Sequence, residues 1–162
     1  MAVPAYYSLS QKGSSGPDVA LIQTWLNGIR DACTWYGTLT VDGRFGDRTV
    51  DAVREFQLKN KLTMDGKVGR ATWDALAAKY AVSHGTDVPY PGIVVSSGSS
   101  GAIVQYIQQQ LNVAGERLTT DGKFGANTVA AVRRFQTRAG IPADGAVGAL
   151  TWDKLFYRKA RN

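Results

Sequence analysis

DGRFGDRTVDAVREFQ (residues 42–57) is answered by DGKFGANTVAAVRRFQ (121–136), the same pattern in the same order 79 positions later. Asp-Gly is a strong turn dipeptide, because the Asp side chain bonds nearby backbone amides and Gly accepts positive φ. Behind the turn, Val50, Val53 and Phe56 recur at helical spacing. The stretch predicts a turn feeding a helix, with Gly46 at or near the N-cap and Thr49 in the first turn. The apolar Phe45 between the glycines is expected to tuck inward as a core plug, and Phe124 likewise in the second copy.

The device recurs inside each copy. DGRFGDRT (42–49) returns 23 residues later as DGKVGRAT (65–72), and DGKFGANT (121–128) returns 23 later as DGAVGALT (144–151). A pattern used four times before helices is first a folding device. Upstream, GSSGPDVALIQTWLN (13–27) matches GSSGAIVQYIQQQLN (98–112) at an offset of 85. Downstream, LTMDGKVGRATWDAL (62–76) matches IPADGAVGALTWDKL (141–155) at 79, so the first copy holds six extra residues within 28–41. Val19, Ile22 and Leu26 behind Pro17, and Trp73, Leu76 and Tyr80, also keep helical spacing. The expected fold is all-α. A first three-helix repeat spans 1–82, a Ser/Gly/Pro linker 83–97, and a second repeat 98–162. Trp73 and Trp152 are read as core.

Composition narrows the chemistry. With 162 residues, 44% hydrophobic and 20% charged, the chain has a globular composition. A net charge of +6 and a pI near 9.6 favour an anionic partner. The charge is spread, with ten basic and eight acidic residues in 1–85 and nine and five in 86–162. No apolar run is long enough to span a bilayer, and MAVPAYYSLS (1–10) lacks the basic and apolar regions of a secretion signal. One cysteine, Cys33, and one histidine, His84, allow no internal disulfide and no Cys/His metal site, so no metal and no cofactor are expected. Only two glutamates are present, Glu55 and Glu116, and most aspartates serve as turn formers, so no catalytic residue is assigned. Arg54, Lys59, Arg133, Arg134 and Arg138 ride on the second helices of the copies, but Asp47, Asp51 and Glu55 share that helix in the first copy. Those acids would repel phosphate, and nucleic acid is not an expected partner.

The ordered set G-S-S-G-x-x-V…I-Q…L-N, D-G-x-F-G-x-x-T-V-x-A-V-x-x-F-Q and D-G-x-V-G-x-x-T-W-x-x-L resembles the peptidoglycan-binding domain of the PG_binding_1 type, over residues 8–80 and 93–157. The resemblance implies a three-helix, non-catalytic module that binds peptidoglycan, through its glycan strand or stem peptide, and concentrates an attached cell-wall hydrolase on the wall. It implies action outside the cell or at the wall, or release of a phage-encoded protein at lysis. The alternative is a structural or protein-interaction module of a phage or cell-envelope assembly.

Candidate contacts follow from what such a ligand offers: sugar hydroxyls, acetamido groups and carboxylates. Arg44 and Lys123 fill the same slot on a turn expected to be exposed, where a cation can meet a peptide carboxylate or simply stay solvated. Asp42 and Asp121 are candidates too, though their first role is in the turn. Thr49, Thr128, Gln57 and Gln136 complete the candidate set, and the two glutamines can face either way. Trp35 and Tyr36, in the inserted stretch, either cover the longer first repeat or form an added sugar platform.

Overall fold

The computed structural model describes residues 3–30 and 37–157. Cys33 and the proposed aromatic contacts Trp35 and Tyr36 lie outside the described residues. The described residues hold six helices: α1 (Pro17–Gly28), α2 (Asp47–Lys59), α3 (Arg70–His84), α4 (Ala102–Val113), α5 (Ala126–Ala139) and α6 (Ala149–Phe156). The all-α expectation holds, with three helices per repeat.

Each Asp-Gly turn does what its composition implies. Gly43, Gly66, Gly122 and Gly145 have φ of 70°, 72°, 72° and 78°, a left-handed backbone that residues with a Cβ rarely adopt. The second glycine of each motif, Gly46, Gly69, Gly125 or Gly148, is the N-cap of the next helix, in extended conformation and without a side-chain cap. Between the two glycines the apolar residue points inward: Phe45 and Phe124 are 2% exposed, and Val68 and Val147 fully buried. Trp73 and Trp152 are core residues as expected. Isolated antiparallel bridges, Ser15 with Arg44 and Ser100 with Lys123, lay each G-S-S-G segment along its Phe-bearing turn.

The six-residue insertion is bracketed by one clamp. Asn27 donates to the Leu39 carbonyl at 2.9 Å and accepts from its N–H at 2.8 Å. Asn112 makes the same pair with Leu118, at 2.9 and 2.7 Å. The clamp spans 12 residues in the first repeat and 6 in the second.

Residues 83–97 do not behave as the expected linker. Ser83 and His84 still belong to α3. Val88 and Val95 are buried, Val95 pairs with Val147, and Tyr90 packs edge-on against Trp152 with ring centroids 5.9 Å apart. The Tyr157 hydroxyl donates to the Val88 carbonyl at 3.1 Å. The first repeat opens in the same way: Ser10 pairs with Val68, Tyr6 packs edge-on to Trp73, and the Trp73 indole donates to the Pro4 carbonyl at 2.9 Å. Each repeat therefore begins with an extended strap that closes over the Trp of its third helix. Ser, Gly and Pro suggest a linker here, but the β-branched and aromatic residues among them decide where the stretch packs, because they bury apolar area.

The two repeats also touch. Buried side chains of both form one connected hydrophobic cluster, and α1 packs against α4.

Candidate functional site: a cationic cleft on a glutamine-locked turn

A buried glutamine holds each of the four turns from behind. In the second repeat, Gln108 of α4 donates through Nε2 to the Asp121 carboxylate at 3.1 Å, the Lys123 carbonyl at 3.0 Å and the Thr128 hydroxyl at 3.1 Å. Its Oε1 accepts from the Gly122 N–H at 2.9 Å. Gln23 does the same for Asp42, Arg44, Thr49 and Gly43 in the first repeat. Gln57 and Gln136 serve the echo turns, through Asp65, Lys67, Thr72 and Gly66, and through Asp144, Ala146, Thr151 and Gly145. All four glutamines are 1% exposed. One amide thus binds every polar element of D-G-x-[F/V]-G-x-x-T, which explains why Asp, Gly and Thr keep their spacing in each occurrence.

The candidate contacts divide along this frame. Thr49, Thr128, Gln57 and Gln136 are buried and spend their polar atoms on the turns, so they support a surface rather than present one. Asp42 and Asp121 are exposed, but each accepts from Gln23 or Gln108 and from the N–H two residues on, at 2.9 Å. Arg44 and Lys123 are exposed, their backbones fixed on both sides. Gln23 and Gln108 were not among the expected site residues. The recurring I-Q and F-Q pairs, one ahead of each turn, are the signal that could have found them.

Beside Lys123 lies an open cleft of about 610 Å³ at the start of α5. Arg117, Thr119, Lys123, Asn127 and Arg134 line it, over a floor that includes Gln108 and Thr128. Glu116, 8% exposed, anchors its rim through Arg134 at 2.6 Å and Arg138 at 2.9 Å. The hydrogen bond from Arg134 is the main reason its carboxyl lies below the ordinary 4.5. Lys123, Arg117 and Arg134 outnumber the one lining carboxylate, Asp121, though Arg134 is paired with Glu116, and the first turn of α5 adds the partial positive charge of a helix N-terminus. The first repeat is mixed: Asp47, Asp51 and Glu55 stand where the second has Ala126, Ala130 and Arg134, and Lys12 pairs with Asp47 at 2.7 Å.

The turn carboxylates give the fold a pH signature. Asp42, Asp65, Asp121 and Asp144 all lie below the ordinary 3.8, chiefly because the N–H two residues on bonds the charged form. A carboxyl with a depressed folded pKa stabilises above its unfolded value, and that stability is lost as pH falls through the folded value. The expected result is a melting temperature that is flat near neutrality and falls below about pH 4. Circular dichroism melts across pH 3–7 read it, and a melting temperature unchanged at pH 3 would contradict it.

The peptidoglycan binding domain model, PG_binding_1, matches twice, over residues 15–76 and 100–155. The chain is 34% identical to the N-acetylmuramoyl-L-alanine amidase CwlL of Bacillus licheniformis, over 91% of this chain and 45% of that protein. It thus spans about half the length of the curated relatives it matches. A peptidoglycan-binding protein of Clostridioides difficile, solved with glutamine hydroxamate, is 40% identical over 40% of this chain and 41% of that one, with a TM-score of 0.39. The Burkholderia AP3 phage endolysin is 43% identical over 39% of this chain and 24% of that one, with a TM-score of 0.38. Both halves of this chain, each with its glutamine-locked turns, belong to the peptidoglycan binding domain family.

Proposed function

We propose that this chain is a tandem wall-binding module that holds an attached cell-wall hydrolase on peptidoglycan, and that its own part in that partnership is binding rather than catalysis. It acts at the bacterial wall, as part of either a bacterial autolysin or a phage lysin. The observation that carries the reading is the cationic cleft of the second repeat, where Lys123 projects from a turn whose backbone is fixed by Gln108 and Ser100. Arg117 and Lys123 meet carboxylates of the stem peptide there, while Thr119 and Asn127 offer hydrogen bonds to its amides or to acetamido groups. Arg44 takes the equivalent place in the first repeat, on a face of lower net charge.

Co-sedimentation with purified sacculi tests the proposal. The chain is expected in the pellet, with no fall in turbidity. Reversing two exposed charges, Lys123→Glu with Arg117→Glu, is expected to weaken binding by about tenfold or more and to leave the melting temperature unchanged, because surface substitutions of this kind barely alter stability. Sacculi stripped of stem peptides should retain less protein. A chain left wholly in the supernatant overturns the binding role, falling turbidity overturns the non-catalytic one, and equal retention by stripped sacculi overturns the carboxylate contact.

A further inference from the structure

The carboxylate of Asp18, in the first turn of α1, reaches across to the other repeat and caps α4. It accepts from the backbone N–H of Ala102 at 2.7 Å and of Ile103 at 2.9 Å, across 84 and 85 residues of sequence. Around this lock the repeats exchange contacts in a roughly two-fold manner. Tyr7, from the first strap, donates to the Asp121 carbonyl at 3.0 Å and its ring covers Gly122. Ile93, from the second strap, lies against Gly43, the counterpart of Gly122, and Val41 lies against Gly92.

The lock itself is not symmetric. At the offset of 85, Pro17 and Asp18 correspond to Ala102 and Ile103. Proline has no N–H to be capped, and isoleucine has no acceptor with which to cap. The acid therefore exists only on α1, and the donor pair it uses only on α4. Gly101 completes the fit, since a Cβ there would overlap the Asp18 carboxylate, and its φ of 125° suits glycine alone.

From this we infer that Asp18 is a positioning residue, which docks the two repeats in one fixed arrangement and so sets the spacing and orientation of their wall-binding faces. The inference rests on the binding role proposed above. Peptidoglycan is a repeating array, and two sites held at a matching separation gain avidity that two sites on a loose tether lose. Burial pushes the Asp18 carboxyl above its ordinary 3.8, against the two N–H bonds that favour its charged form. The lock uses both carboxylate oxygens, one for each N–H, so asparagine keeps one acceptor and turns its NH₂ toward the other N–H.

The 162-residue chain carrying Asp18→Ala or Asp18→Asn tests this by small-angle scattering, by affinity for sacculi, and by affinity for a soluble disaccharide–peptide fragment released from the same sacculi. Asp18→Ala is expected to increase the radius of gyration and to weaken sacculus binding about tenfold, with fragment affinity unchanged. Asp18→Asn, which retains one of the two bonds, is expected to fall between the parent and Asp18→Ala in scattering and in sacculus affinity. Unchanged scattering for Asp18→Ala overturns the docking role. Fragment affinity that falls in step with sacculus affinity, or sacculus affinity that holds or rises, overturns the positioning role. If the parent chain fails to bind sacculi, the wall-binding reading falls and the positioning role with it, while scattering still decides whether Asp18 docks the repeats.

Discussion

Gln108→Glu is expected to unfold the second repeat well before the first, although it exchanges one NH₂ for one oxygen. The parent amide donates at 3.0–3.1 Å to a carboxylate, a carbonyl and a hydroxyl. A glutamate in its place turns two of those contacts into oxygen facing oxygen, one of them carboxylate against carboxylate, and it is buried with its charge. Breaking a buried charge-assisted network in this way costs about 3–5 kcal/mol. For a unit of this size, each kcal/mol moves the melting temperature by roughly 4–8 °C. A drop of about 12 °C or more in the transition of that repeat is therefore the expected reading by circular dichroism. Acid should narrow the difference, because a protonated glutamic acid regains one donor. A variant that melts within a few degrees of the parent would show that the glutamine is not what holds the turn.

Phe124→Ala should be comparably damaging, and its neighbour makes the contrast informative. Phe124 is 2% exposed, while Lys123, one residue earlier, faces solvent. Truncating a buried phenylalanine costs about 3–5 kcal/mol, the sum of lost transfer energy and the cavity left behind. A three-helix unit buries too modest a core to absorb that loss easily. Chemical denaturation is expected to show a large fall in midpoint for Phe124→Ala, a small one for Phe124→Leu and none for Lys123→Ala. Wall binding should follow the opposite logic: Lys123→Ala weakens it with the fold intact, whereas Phe124→Ala weakens it only as far as the repeat unfolds. Equal stability of Phe124→Ala and the parent would remove the plug from the account of the turn.

Most of the fold was legible because its signals are local. The Asp-Gly turns need positive φ, which only glycine supplies cheaply, and the helices behind them carry their apolar stripe at periodic spacing. Inward placement of Trp73 and Trp152 followed from the same periodicity, and that of Phe45 and Phe124 from their position between the turn glycines. Four of the candidate contacts are buried, a placement the sequence left open for a specific reason. Thr49, Thr128, Gln57 and Gln136 are polar, and a linear pattern does not tell a buried, fully bonded polar side chain from an exposed one. The strap at 88–97 was missed because composition averages over residues, while packing is decided by individual side chains such as Val88, Tyr90 and Val95.

Turn chemistry, helix periodicity and the duplication reside in neighbouring residues, so the chain order alone settled the family, the all-α class and the number of repeats. Which glutamine reads which turn, how Arg117 and Lys123 come to share a cleft, and why one aspartate ties α1 to α4 depend on groups that meet only after folding. Hydrogen bonds act over about 3 Å whatever the separation along the chain. For Asp18 that separation is 84 residues, and no local pattern encodes it.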